Sequence, residues 1–309
     1  MQTKKHPILP QWAITFILIV SQCALSQTPA RVQQDYIKEI QKWHEKRILS
    51  LTREDGWLSL AGLYWLKDGE NNFGADSSND IIFPNGKSPD FIGVFTLKNN
   101  QVTITIKPNI TVLFEGKPVQ SLKLKSDAEG EPTVLTLGSL KWFIIKRGDL
   151  FAVRLRDSAN FGLKNFKGIK TFPIDTLWRF RARFEPFDSM KEISFPTVLG
   201  TTVKQKCPGA LVFKIQDKTF RLDAIADNLN QPLFLIFADK TNGKETYGGG
   251  RFLIVDKLNE NGFTFIDFNK AYNPPCAFTE YATCPLPPNQ NRLPLRITAG
   301  EEKYENSTH

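Results

Sequence analysis

The chain reads as mainly β, with one amphipathic helix at its N-terminal end. Three observations lead there. Short apolar runs recur about every ten residues from residue 53 onward, and Gly, Asn, Asp and Pro separate them. No helix-period pattern alternates with these runs, which argues for sandwich or barrel architecture over a wound α/β sheet. Apolar spacing of three and four residues is confined to the segment before residue 50.

In that segment Thr28 is a candidate N-cap and Pro29 suits the first helical turn. Val32, Tyr36, Ile40, Trp43 and Arg47 follow at helical steps, so Pro29 to about Leu49 is expected to pack one face on the body. Asp55-Gly56 ends the connection, and Trp57 to Leu66 enters the β region. Turn signals at Asp68-Gly69, Asn85-Gly86, Asn99-Asn100 and Glu115-Gly116 punctuate strands such as the strictly alternating Val102 to Ile106. Leu140 to Ile145 and Phe151 to Leu155 flank Arg147-Gly148-Asp149 as a hairpin.

A basic stretch, Lys164 to Lys170, separates this sandwich from a second β unit, sandwich-like or barrel-like. There, Trp178 to Phe184 puts Arg179, Arg181 and Arg183 on one strand face and Phe180, Ala182 and Phe184 on the other. The arginines read as charge guarding an exposed sheet edge, with polyanion binding as the alternative. Later strands are expected at Leu211 to Ile215, Phe220 to Ile225, Leu233 to Phe237, Phe252 to Val255 and Phe263 to Phe268. The organisation is therefore a signal peptide (1–26), helix (27–52), N-terminal β-sandwich (53–163), C-terminal β unit (164–303) and disordered tail (304–309).

The signal assignment rests on Lys4 and Lys5, the nine-residue apolar core Trp12 to Val20, and small residues at Ala24 and Ser26 before a cleavage point. That core is short of the about 20 residues a membrane span takes. A lipid anchor at Cys23, for which Gln22 is bulky, and a retained N-terminal anchor are the weaker alternatives. The mature chain is thus expected outside the cytoplasm, periplasmic or secreted, with no transmembrane segment. Removal of Lys4 and Lys5 lowers the formal charge from +8 to +6, a mild excess that gives no nucleic-acid signal.

Composition also limits the chemistry. Of three histidines, His6 lies in the signal and His309 ends the chain, leaving His44 on the helix. Histidine-dependent nucleophilic catalysis and zinc chemistry lose their usual donors, and neither metal nor cofactor is indicated. The polar residues crowd into Ala238 to Gly300. Asp239-Lys-Thr-Asn-Gly243 reads as a turn capped by its own side chains, a poor match to a calcium loop. Thr246, Tyr247 and Arg251 bracket three glycines, which would admit a ligand or form a bulge; Arg251 suits an anionic group or a structural ion pair. Asp267 and Asn269 share a strand face, solvated or lining a pocket, followed by Tyr272 and Asn273.

Asp239, Asp267 and Cys276 are the catalytic candidates; Thr246, Tyr247, Arg251, Asn269, Tyr272 and Asn273 are the ligand candidates. In an oxidising compartment Cys276 and Cys284 are the natural disulfide pair, worth about 2.5 kcal/mol for so short a loop. Cys207 is left as a buried apolar residue or a loose thiol. These residues suit a small, anionic ligand in the C-terminal unit; a carboxylate- or cysteine-based hydrolase and an envelope interaction protein are the alternatives. The partner would be a small molecule or an envelope component.

Three motifs carry a resemblance. Gly56-Trp-Leu-Ser-Leu-Ala-Gly-Leu-Tyr-Trp-Leu66, Phe237 to Leu253, and Asp267 to Phe278 with Cys284 to Pro288, Asn291 and Ala299 to Glu301 resemble the family termed domain of unknown function 1684. The likeness runs from about Trp43 to Lys303 and implies no activity, but it marks the closing motif as a family feature. A fainter likeness, Asn72 to Ile81 with Phe114 to Val119, is similar in spacing to forkhead-associated sandwiches. Those domains read phosphothreonine with an Arg after the first Gly and a Ser/His pair. Ala75 follows Gly74 here and no His lies in the segment, so the likeness implies shape without that activity.

Overall fold

The computed structural model describes residues 29–305, apart from 199 and 201. The expected signal peptide lies outside the described residues. Helix α1, Pro29–Thr52, forms where the spacing predicts it, and Tyr36, Ile40 and Leu51 on one face are buried. No described helix is long and apolar enough to cross a membrane.

The N-terminal β region is a sandwich. One sheet contains β1 (Leu60–Trp65), β6 (Val112–Phe114), β7 (Lys117–Val119), β9 (Leu135–Leu137), β10 (Leu140–Arg147) and β11 (Leu150–Asp157), in the order β1-β11-β10-β9-β6-β7. The other contains β2 (Gly69–Gly74), β3 (Ile81–Ile82), β4 (Gly93–Lys98), β5 (Gln101–Ile106) and β8 (Ser121–Leu124), in the order β3-β2-β4-β5-β8. Inward residues of both sheets share one core, in which Phe73, Phe83, Phe95 and Trp142 touch edge to face or tilted. Asn99 and Asn100 both take positive φ between β4 and β5, as a tight two-residue hairpin of matching twist requires.

The second unit is a curled four-stranded sheet: β12 (Arg179–Pro196), β13 (Thr202–Ile215), β14 (Lys218–Ala224) and β17 (Phe263–Asp267), in the order β14-β13-β12-β17. It wraps a hairpin of β15 (Leu233–Phe237) and β16 (Arg251–Val255) around a separate core containing Phe184, Phe213, Phe237, Leu253 and Phe268. Pro186 and Pro208 sit at an irregularity in the β12–β13 ladder, where a missing N–H is tolerated.

The edge reading of the arginine strand is corrected. From Ala182 to Arg183, β12 pairs with β13 on one side and β17 on the other, so the strand is internal. Its arginines are on the exposed face, where Arg181 lies 3.9 Å from the Phe263 ring centroid and Arg179 lies 4.4 Å from that of Phe265. The ordered chain also extends past residue 303. Tyr304 is buried against Phe166 and Phe278, while 306–309 lie outside the described residues.

Candidate functional site

The segment after β15 closes on itself. Asp239 accepts hydrogen bonds through Oδ1 from the Thr241 N–H and hydroxyl, at 2.8 and 2.6 Å. Its Oδ2 accepts from Arg251 Nη2 at 2.7 Å, with both side chains fully buried. Arg251 also donates to the carbonyls of Ile297 and Ala299. Burial pulls the Arg251 pKa down, and the Asp239 charge opposes that shift. Thr246 is buried against Thr241 and Asn242. Gly250, at φ +90°, brings the backbone so close to Pro287 that a Cβ would lie 2.4 Å from its ring. This glycine receives the chain's own Pro-rich segment, and Arg251 and Thr241 between them occupy both carboxylate oxygens of Asp239.

The closing motif is covered by α1. Tyr36 donates its hydroxyl to Asp267 at 2.9 Å, and Asn269 Nδ2 donates to the same hydroxyl at 2.9 Å. Asn269 also bonds both backbone groups of Asp175. Burial and the neighbouring Asp267 charge push the Tyr36 phenol up. The expectation of a solvated or pocket-lining face at Asp267 and Asn269 is therefore corrected: the face is buried under the helix. His44, remote in sequence, is folded beside the Asn269 backbone and stands edge-on to Trp43 at 5.0 Å; burial pulls its pKa down.

Asn273 forms a third knot. Its N–H donates to Glu301 Oε2 at 2.7 Å, its side-chain amide to the Glu302 carbonyl, and its own carbonyl accepts from Arg47 Nη2. Arg47 also pairs with Glu301 at 3.2 Å and lies 4.6 Å over the Tyr272 ring. Glu301 is enclosed, and burial raises its pKa despite the Arg47 charge. Tyr247 packs in an apolar cluster with Cys276, Cys284, Phe195 and Phe252. The two thiols are free, and each sulfur accepts the other cysteine's backbone N–H, at 3.1 and 3.3 Å. Cys207 is buried and its pKa is pushed up to about 11, chiefly by desolvation.

Thus the sequence-derived polar residues meet in three internal knots, and only Tyr272 among them reaches an open depression of about 470 Å³. This groove lies between α1, which supplies Trp43, Lys46, Arg47 and Ser50, and the β15–β16 hairpin, which supplies Phe234, Phe252 and Ile254. Trp57, Tyr272 and Pro275 complete it. Phe234 meets Phe252 edge to face at 5.0 Å, and Phe252 meets Tyr272 in the same way at 6.0 Å. Lys46 is exposed and has no ion-pair partner among the described residues. No carboxylate or thiol lines the groove, and burial pushes the Tyr272 hydroxyl up to about 12. Among the described residues no group of three or more His, Cys, Asp or Glu side chains is placed to hold a metal.

Trp43 and Arg47 were visible in the sequence as helix-face residues, but nothing local pointed them at Phe252 or Glu301. The groove residues Lys46, Trp57, Phe234 and Ile254, and the buried Glu301, were not anticipated as a site. Aromatic enrichment was the available signal, and it equally describes a core.

Residues 164–302 match a family model described as protein of unknown function (DUF1684). No curated protein matches the chain. An uncharacterised protein of Haloarcula marismortui, solved by solution NMR, is 31% identical over 45% of this chain and 78% of that one, with a TM-score of 0.38. A forkhead-associated domain of the CT664 protein of Chlamydia trachomatis is 18% identical over 32% of this chain and 97% of that one, with a TM-score of 0.22. Forkhead-associated domains are thus among the similar solved structures, at low coverage of this chain. The opening motif at Gly56 to Leu66 lies outside the family match, whereas the central and closing motifs lie inside it, and the chain belongs to the family of unknown function DUF1684.

Proposed function

We propose that this is an exported protein that binds a small, largely apolar ligand carrying an anionic group in the groove between α1 and the β15–β16 hairpin. Export rests on the charged, apolar and small-residue pattern of residues 1–26. The binding reading is carried by one observation: five aromatic side chains converge on an open groove whose unpaired charge is Lys46. Its volume falls in the range of about 300–1,000 Å³ common for small-molecule sites. Aromatic walls favour an apolar body, and Lys46 favours a carboxylate or similar anion at the open end. Arg47 is committed to Glu301 and Asn273, so it shapes the wall beneath Tyr272.

Binding is favoured over hydrolysis because Asp239, Asp267 and Cys276 lie outside the groove lining. An ordinary general base or nucleophile would have to reach the ligand.

Titration calorimetry with dodecanoate, dodecanol and dodecyltrimethylammonium tests this reading. Dodecanoate is expected to bind saturably at one site, about tenfold more tightly than dodecanol, a difference of about 1.4 kcal/mol. Ile254→Asp, at an exposed groove position, should abolish binding, and Lys46→Gln should erase the preference for the anion, with little change in melting temperature. Unsaturable uptake, or wild-type binding by both variants, would overturn the proposal.

A further inference from the structure

Behind the groove wall, Pro275 leads directly into Cys276, and the stretch from Cys276 to Cys284 folds back on itself. The reciprocal N–H···S bonds at 3.1 and 3.3 Å hold the two sulfurs beside one another within one short loop. Both thiols are buried, 2% and 5% exposed, while Glu280 at the loop tip is exposed. Opening this single loop would bring both thiols to solvent and leave the two large cores intact, disturbing only the small apolar cluster around Tyr247 and Phe195.

The second observation comes from the sandwich. Arg154 on β11 is only 4% exposed, and its Nε and Nη2 have no hydrogen-bond partner among the described residues. The guanidinium lies 5.7 Å from the Trp57 ring centroid. Around it are Arg147, Arg156, Asp127 and the cysteine pair, and Tyr247 also neighbours the thiols. Burial lowers the Arg154 pKa to about 10, so it remains a cation at neutral pH. A buried cation with free N–H groups is costly unless negative charge is placed near it. Asp127 supplies part of that charge, and a thiolate would add to it on the side of the cysteine pair.

We propose that Cys276 and Cys284 form a reversible dithiol–disulfide centre, in which Cys276 is the attacking thiol and Arg154 stabilises its thiolate, and which exchanges with small-molecule disulfides. The Cys276 thiolate attacks one sulfur of the small disulfide; that S–S bond breaks and one small thiol leaves. Cys284 then attacks the Cys276 sulfur of the mixed disulfide, the Cys276–small-molecule S–S bond breaks, and the displaced small thiolate takes up the Cys284 proton to leave as the second thiol. Two protein thiols are oxidised to one disulfide, and one small disulfide is reduced to two thiols. The order of attack follows from the pair: the Cys284 S–H bonded to Cys276 holds the Cys276 pKa down, with Arg154 adding to this, whereas burial pushes Cys284 up.

The full chain, equilibrated in glutathione buffers of graded redox ratio, acid-quenched, alkylated and mapped by peptide mass, tests the centre. One two-electron transition is expected, with the disulfide at Cys276–Cys284 and Cys207 reduced throughout. The rate of oxidation by oxidised glutathione should rise with pH to a midpoint below the ordinary thiol value. Arg154→Met should move that midpoint up by about one unit and slow the reaction about tenfold at pH 7, while Arg154→Lys retains most of the rate. Cys284→Ser should stop at one glutathione bound to Cys276, a result that needs no Arg154 variant to fold. Thiols that stay reduced in oxidised glutathione, a disulfide through Cys207, equal reactivity of Cys284 in Cys276→Ser, or a pH profile unmoved in folded Arg154→Met would each overturn the proposal.

Discussion

Arg251 looks in the sequence like the anion contact of a glycine-lined pocket, and in the folded chain it is a structural ion. Its guanidinium is spent on Asp239 and on two carbonyls of the C-terminal segment, with neither member of the pair exposed. Removing one partner leaves a buried carboxylate uncompensated, the situation in which a buried pair costs most to break. Arg251→Met should therefore lose about 3–5 kcal/mol of stability in urea denaturation. Dodecanoate binding by the folded fraction should be unchanged. A stable variant that fails to bind would instead restore Arg251 to the site. Asp239 and Thr246 belong to the same knot, so their substitution should act in the same direction.

At the scale of elements, α1 is the piece that turns the closing motif from a surface into an interior. Tyr36 reaches Asp267 and Asn269, and Arg47 reaches Glu301 and Asn273, at opposite ends of one helix face. The Glu301 carboxyl carries the pH dependence of this docking. Burial raises its folded pKa above the ordinary value of 4.5, the direction that opposes ionisation. A raised folded pKa contributes stability that is fully present below the unfolded pKa and is lost as pH rises through the folded one. Wild type should therefore lose stability relative to Glu301→Gln as pH rises from about 4.5. Melting temperatures of both proteins between pH 4 and 8 check this. A constant difference would mean that the carboxyl titrates alike in the folded and unfolded chains.

Over the whole molecule, two large apolar cores are accompanied by a smaller apolar cluster around Phe195, Tyr247 and Phe252. The sandwich core and the core under the curled sheet have no residue in common. Within the N-terminal region, Arg156 donates to the Gly56 carbonyl and to Ser59, and Arg154 stands against Trp57. Separate cores transmit less cooperativity than one shared apolar core. Ile104→Ala, at a fully buried sandwich position, should cost about 2–5 kcal/mol there. Hydrogen exchange should then accelerate across residues 60–157 and change little in the strands from 179 to 267. Equal acceleration in both would show a single folding unit.

The strands were legible because their cause is local. Alternation along Val102 to Ile106, positive-φ residues at Asn99-Asn100 and the three- and four-residue steps of α1 act over a few residues, so the mainly β class and its leading helix follow from the sequence alone. The crowding of polar residues near the C-terminal end was also legible, but its meaning was not. Tyr36 and Asp267 are 231 positions apart, and Arg47 and Glu301 are 254 apart. Whether a carboxylate faces solvent or a phenol depends on which remote element docks over it, and periodicity carries no information about that choice. Docking of α1 over the closing motif buried the expected polar pocket. The same docking set Trp43 and Lys46 opposite Phe252 and left the groove open between them. The sequence determined the elements and their inward faces through local backbone preference and apolar spacing, and the tertiary structure alone decided the site, because a site is made of contacts between segments far apart in the chain.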